Sequence, residues 1–313
     1  MKIHILGCYA ATPRTITSPT SQVLEIQNEL LLIDCGEGTQ VQLRKHKIKF
    51  SKINHIFISH LHGDHVYGLI GLVSTFSLLN REKDLHIYGP KGIKDLILLQ
   101  IKISESYTKY QLHFHELTAE TSEIIYENNK ICVRTIPLKH RVYANGYLFE
   151  EKTKPRRINS QAIQEYAVEV GYLPKVKQGF DGCTFEGELV KNELITFDPE
   201  PSLQYAFCSD TVYTETIVPI IENSTVLYHE STFLESEKEL AQKTKHSTAK
   251  EAASIAKKAA VKYLILGHYS TRYANIELFQ EEAKTIFENT LLGDDAKCFE
   301  VKIIDNQIKI IES

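Results

Sequence analysis

Three histidines and an aspartate fall within six positions of "SHLHGDHVYG": His60, His62, Asp64 and His65. Imidazole nitrogen and carboxylate oxygen are the donors preferred by zinc and similar borderline cations. In extended chain residues i and i+2 point the same way, so His60 and His62 can grip one cation. Gly63 permits a sharp turn, after which Asp64 and His65 project toward a second position nearby. A solvated His-rich loop competes with this reading for one HxH pair, but accounts poorly for HxHxDH directly after an apolar run. Three further candidates end apolar runs elsewhere: His140 in "IPLKH", Asp210 in "AFCSDT" and His268 in "LILGHYSTRY". Alone, each has an ordinary alternative: a helix cap for Asp210, a surface histidine for the other two. Together, and in order, they supply the additional groups that a two-cation site needs.

Such residues must be positioned by the elements they follow. Short β-branched runs recur at 2–7, 21–26, 30–34 and 55–59, and again at 204–210, 225–230 and 263–268. Each reads as a buried strand ending on a polar or ionisable residue. Helices are expected at Gly92–Ile103, Tyr213–Glu222, Thr248–Val261 and Ile276–Asn289. In the third of these, alanines spaced i, i+3, i+4 make a small-residue face, and a hydroxyl residue suits its N-cap. The order predicts an α/β sandwich in two halves, the first over roughly residues 1–140, with ligands beyond the strand ends. The stretch at about 149–201 is richer in charge, proline and glycine. It reads as an arm inserted into one domain spanning 1–313.

The 313-residue chain is 42% hydrophobic and 24% charged, enough to bury a large core. "MKIHILGCYAATPRT" reads as a first strand rather than a secretory signal, and no apolar run approaches a membrane span. A cytoplasmic location is expected. Six scattered cysteines without CxxC argue for reduced thiols over a disulfide framework or a zinc finger. A net charge of −4 offers no global attraction for nucleic acid, so RNA contact would need local basic patches.

HxHxDH resembles the signature of the metallo-β-lactamase fold, an αββα four-layer sandwich with a metal site at its edge. Oxidoreductases of that fold typically carry Glu at the position of His62, so histidine implies zinc hydrolysis. The likeness is narrower still. "LLIDCGEGTQVQL", "FISHLHGDHVYGLIGL", "HEST", "HSTAKEAA" and "GHYSTRY" resemble the successive motifs of the ribonuclease Z family. The similarity runs from Gly7 to about Tyr273. It implies a nuclease acting on the 3′ side of precursor tRNA, with two Zn2+ per subunit and a homodimeric assembly. By the same resemblance His60, His62 and His140 hold one zinc, Asp64, His65 and His268 the other, and Asp210 bridges them. Asp64 would also accept the proton of the attacking water. His246, ahead of its helix, is the candidate proton donor to the leaving oxygen, its tautomer held by Glu230. The family motif around Glu230 more often reads HEAT; Ser231 replaces the alanine here.

Ser270, Thr271 and Arg272 follow His268 and could hold a substrate phosphate, although Arg272 could equally pair with a core carboxylate. Basic clusters lie at Leu43–Lys52 and Lys152–Arg157, the latter with Lys152, Lys154, Arg156 and Arg157, followed by Lys175 and Lys177. They can neutralise RNA phosphates or stand as solvated lysines. The family clamps tRNA with an exosite arm between the positions of His140 and Asp210. The Gly/Pro-rich knuckle usual there is reduced to "GYLPKVKQG", which leaves the arm's contacts open. The alternative function is a dizinc hydrolase of small phosphodiesters or esters, and a non-catalytic scaffold would be expected to have lost ligands.

Overall fold

The computed structural model describes residues 1–12, 14–305 and 307–313. Side-chain alternation along the strands decides its layers. β1 (Lys2–Gly7) sends Ile3 and Ile5 into one core and Leu6 into another. β2 (Ser21–Ile26), β3 (Glu29–Ile33) and β4 (Ile53–Phe57) divide their apolar residues in the same way. A strand with both faces apolar must be covered on both. β5 (Leu85–Pro90) and β6 (Leu112–Leu117) complete this part of the first sheet, β3 to β6 being parallel. Its outer face is covered by the Thr39–Lys45, Gly68–Leu78 and Ile93–Ile103 helices, through Leu43, Leu69, Leu72, Val73, Phe76, Ile93 and Ile97.

The second sheet packs against the inner face. It contains β7 (Ile124–Glu127), β8 (Ile131–Leu138) and β9 (Ala144–Glu151). Small two-residue strands follow in the arm: β10 (Arg157–Ile158), β11 (Gly182–Cys183), β12 (Leu189–Val190) and β13 (Thr196–Phe197). The second sheet resumes with β14 (Gln204–Cys208), β15 (Val226–Glu230), β16 (Tyr263–Gly267) and β17 (Thr290–Leu292). Phe57 and Ile33 of the first sheet meet Tyr147, Phe149, Tyr205 and Phe207 of the second in one buried cluster. The outer face of the second sheet is closed by the Ala249–Lys258 helix through Ala252, Ala253, Ile255 and Ala256, and by Phe279 and Ala283 of the Glu277–Lys284 helix. The layers are therefore αββα. Among the described residues no helix is long and apolar enough to cross a membrane.

The division at residue 140 needs correction. β7, β8 and β9 already belong to the second sheet, which antiparallel pairing of β8 with β9 and of β9 with β14 makes continuous. The first sheet instead recruits the end of the chain: β18 (Cys298–Ile304) pairs antiparallel with β1, and β19 (Gln307–Glu312) with β18. Of the expected helices, Tyr213–Glu222 reduces to a 3₁₀ turn at Glu215–Ile217 and one α turn at Val218–Ile221. Pro219 lacks an N–H and cannot sit inside a longer helix, which explains the shortening. Ile276–Asn289 likewise shortens to Glu277–Lys284.

Candidate metal centre and active site

The strand directions gather the candidate residues at one edge. After β4 the chain leaves the sheet, and His62 is extended (φ −71°, ψ 151°) ahead of a single helical turn, Gly63–Val66. β8 runs with β14, β15 and β16, since each is antiparallel to β9 or parallel to its neighbour. His140, Asp210, Glu230 and His268 thus all lie at the C-terminal ends of their strands, together with His60, His62, Asp64 and His65.

Asp210 stands between two sets of donors. Its Oδ2 lies 3.5 Å from His60 Nε2 and 3.7 Å from His140 Nε2. His62 Nδ1 completes that set, 2.9 Å from His60 Nε2 and 3.4 Å from His140 Nε2. Asp210 Oδ1 lies 3.1 Å from His268 Nε2 and 3.4 Å from His65 Nε2. Asp64 Oδ2 is 3.5 Å from His65 Nε2 and 3.6 Å from His268 Nε2. Two ligand atoms each ~2.1 Å from one cation at a tetrahedral angle stand ~3.4 Å apart, and all of these spacings except the 2.9 Å of His60–His62 and the 3.1 Å of Asp210–His268 are longer than a good hydrogen bond and close to that value.

The opposite edges of the imidazoles strengthen the fit. His65 Nδ1 is 2.7 Å from the buried Asp34 Oδ2, and His140 Nδ1 is 2.9 Å from the Lys245 carbonyl. Ser59 Oγ donates to Asp34 Oδ2, so it accepts from His60 Nδ1. Thr232 Oγ1 donates to Glu230 Oε2, so it accepts from His268 Nδ1. Each of these rings spends its N–H on Nδ1 and turns a bare Nε2 toward carboxylates. Among the described residues, Nε2 of His65 and of His268 are buried without a hydrogen-bond partner. Lone pairs facing carboxylates need a cation between them, and the His/Asp donor set suits a metal ion. With no cation between them, burial opposes charge on His65, yet Asp210, Asp64 and Asp34 push its pKa well up, a demand for positive charge that a bound metal ion would meet in place of a proton. Burial and the neighbouring His65 push His60 well down.

Beside this cluster, Glu230 is fully buried and receives four hydrogen bonds. Its Oε1 accepts from Thr211 N (2.9 Å) and His246 Nδ1 (2.9 Å), and its Oε2 accepts from Thr232 N (3.0 Å) and Oγ1 (2.6 Å). Burial opposes the charge of His246, but the Glu230 carboxylate outweighs it and raises the imidazole to about 9. The His246 ring packs 5.1 Å from His140 and 5.4 Å from His268, between centroids. It is carried by the loop ahead of the Ala249–Lys258 helix, whose N-cap Thr248 forms a capping box with Glu251.

The other predicted residues are distributed differently. Ser270 is half-buried next to the cluster, its N–H bonded to the Thr232 carbonyl, and Arg272 is exposed and joins no carboxylate among the described residues. Arg156, Arg157, Lys175 and Lys177 belong to a small arm with its own core of Ala162, Val168, Val176, Val190 and Ile195, whereas Lys152 and Lys154 bind back to the second sheet. Most of the expected RNA-facing cations are already engaged. Lys152 pairs with Glu127 (2.8 Å), Lys154 with Glu151 and Glu200, and Arg156 with Asp198 (2.8 Å). Arg157 donates to the Asp198 carbonyl and covers Phe197, and Lys175 lies over Tyr172. Lys177 has no side-chain partner among the described residues.

Sequence reasoning missed Asp34, Ser59 and Thr232. Asp34 ends the apolar run "LLLID" just as Asp210 ends "AFCSD", a signal that was available. Its left-handed backbone (φ 55°) turns the carboxylate onto Ser59 and His65. Ser59 and Thr232 carried no signal beyond adjacency to His60 and Glu230.

A family model described as "Anti-Pycsar protein Apyc1" matches residues 1–153. Ribonuclease Z of Bacteroides fragilis is 43% identical over 95% of this chain and 98% of its own length. Ribonuclease Z of Parabacteroides distasonis is 45% identical over 94% and 96%. Among solved structures, human tRNase Z, short form, superposes with a TM-score of 0.71 and 26% identity, covering 97% of this chain and 100% of that one. YhfI of Bacillus subtilis, a metallo-β-lactamase fold protein, gives 0.65 at 18% identity over 96% and 99%, a likeness of fold. With nearly full-length identity of this order, the chain belongs to the ribonuclease Z family.

Proposed function

We infer that the protein is a metal-dependent endoribonuclease that cuts tRNA precursors on the 3′ side, leaving a tRNA 3′-hydroxyl and a trailer with a 5′-phosphate. One observation carries the reading: Asp210 offers one oxygen to each of two donor sets, next to the His246–Glu230 pair. His60, His62 and His140 would hold one cation and Asp64, His65 and His268 the other, with Asp210 shared; two Zn2+ per subunit suit these donors. Bound there, such ions neutralise phosphodiester charge and bring the pKa of water near 7.

The remaining chemistry belongs to the chain. Asp64 Oδ2 accepts the Ala11 N–H at 2.9 Å, and Oδ1, which has no hydrogen-bond partner among the described residues, can take a proton from the attacking water. As the P–O bond to water forms and the bond to the 3′ oxygen breaks, His246 gives its Nε2 proton to that oxygen. Glu230 keeps Nδ1 occupied, so Nε2 is the nitrogen that can donate. Ser270 and Arg272 are read as holding a substrate phosphate beside His268. We read residues 1–313 as one domain from which the arm at about 149–201 projects to grip the body of the tRNA. The homodimer would use the exposed apolar side chains Leu79, Leu99, Ile103 and Tyr107, the last of these 73% exposed. Ser77 Oγ, bonded to the Tyr107 carbonyl, ties the two helices' ends into one face. Sedimentation of the purified protein and of Ile103→Glu tests this: a dimer that becomes a monomer is expected.

The decisive test is incubation with a precursor tRNA bearing a 3′ trailer, with and without chelator, for wild type and Asp64→Ala. A cut after the last mature nucleotide, abolished by chelator and by the substitution, is expected. A chelator-insensitive cut would overturn the reading. Turnover of an aryl phosphodiester without cleavage of any precursor would favour a small-substrate hydrolase instead.

A further inference from the structure

A cavity of about 890 Å³ opens beside His140, between the loop after β6 and the β8–β9 turn, and the chemistry above leaves it unused. Its size falls in the roughly 300–1,000 Å³ range of sites that enclose a small organic group. Tyr143 is one wall. Its hydroxyl donates to the Ala119 carbonyl (2.8 Å) and accepts from Asn145 Nδ2 (2.9 Å), so the ring is held in place. Ser122 and Thr216 add hydroxyls, and Arg141 is also among the lining residues. Arg141 is exposed and, among the described residues, pairs with no carboxylate. Its charge nonetheless acts on both His62 and His246. A rigid aromatic face beside an uncompensated guanidinium is the chemistry that receives a nucleotide: base on ring, phosphate on cation.

The direction of the reaction says which nucleotide. The proton donor His246 must face the departing 3′ oxygen, and the proton acceptor Asp64 must face the water on the opposite side of phosphorus. Asp64 belongs to the His65–His268 set, whereas His246 lies between His268 (5.4 Å) and His140 (5.1 Å), and it is on the His140 flank that the cavity opens. The nucleotide that carries the departing oxygen is therefore the one within reach. Resting on the reading as a precursor-tRNA nuclease, we propose that this cavity seats the base of the last nucleotide retained on the tRNA, stacked on Tyr143, with Arg141 on the phosphate 5′ to it.

The test pairs enzyme variants with altered precursors. One precursor is intact, and the other lacks only the base of that last nucleotide. Wild type should cleave the abasic precursor with a kcat/KM lower by about tenfold or more, the effect of losing one stacked base. Tyr143→Ala should cleave both at one reduced rate, so that the penalty disappears. Ser122→Trp, which fills the cavity and keeps the ring, should reduce cleavage of the intact precursor toward the abasic level. For Arg141→Ala, the slope of log kcat/KM against log salt should flatten by about 0.7, the share of one single-strand phosphate. Thermal midpoints and bound metal confirm that each variant is folded. If wild type cuts precursors but shows the same abasic penalty as Tyr143→Ala and Ser122→Trp, the subsite is wrong and the nuclease stands. If wild type cuts no precursor, the nuclease reading falls and the subsite with it.

Discussion

A histidine that gives a proton to a departing alkoxide meets a different demand from one that holds a metal, and His246 can be tested on that difference. Its Nδ1 is occupied by Glu230, and its ring only borders the ligand set. His246→Ala should therefore retain bound metal while precursor cleavage falls by roughly 10²- to 10⁴-fold, the usual worth of a general acid. An aryl phosphodiester, whose phenolate leaves without help, should lose far less. Equal losses on both substrates, or loss of metal, would show that His246 is a structural or ligating residue. Asp34 makes the complementary case. It touches no substrate, yet it orients His65 at 2.7 Å and Ser59 through two bonds. Asp34→Asn should weaken metal affinity by about 10- to 100-fold, measured by competition with a chromophoric chelator. Undiminished affinity would mean that His65 needs no such partner.

Among the elements, the arm invites a deletion that spares the sheets. β9 continues to Glu151, whose carboxylate accepts the Leu203 N–H, so the ends of the insertion are stitched together at the sheet. Replacing 157–197 by a short Gly/Ser linker removes the small core without touching that stitch. Precursor cleavage should weaken by at least tenfold, chiefly through KM, while aryl phosphodiester turnover persists. Loss of both activities would make the arm a structural support. The internal ion pairs of Lys152, Lys154 and Arg156 sharpen this, since cations that already face carboxylates attract phosphate less than their sequence suggested. Here sequence and structure part for a physical reason. Strand-end residues were legible because β8, β14 and β16 run the same way, so apolar runs closing on His140, Asp210 and His268 converged at one edge. Which lysines pair with which acids depends on folding of an arm that offers no periodic pattern. The return of β18 to β1 was equally hidden, because Lys2↔Glu300 pairing joins the two ends of the chain and neither carries chemistry.

Taken whole, the molecule joins its two sheets in part through a row of histidines outside the metal cluster, and that row has its own sensitivity to acid. His55, His86 and His113 are cross-strand neighbours on β4, β5 and β6, with ring centroids 5.1 Å and 4.6 Å apart along the row. Across the gap, His55 packs 4.2 Å from Tyr126 of β7, joining the first sheet to the second. Its Nδ1 is buried without a partner among the described residues. Burial, then His86, His115 and Arg81, lower the His55 pKa to about 4 from an ordinary 6.5. Between these values the unfolded chain binds the proton and the folded one does not, so stability is present above about pH 6.5 and is lost as pH falls toward 4. His55→Phe keeps a ring against Tyr126 but removes this titration. Thermal melts in chelator, which hold the metal state constant, should show wild type falling more steeply than His55→Phe between pH 6.5 and 4. Parallel curves would mean that the two sheets do not meet through a neutral His55, and that acid sensitivity arises elsewhere.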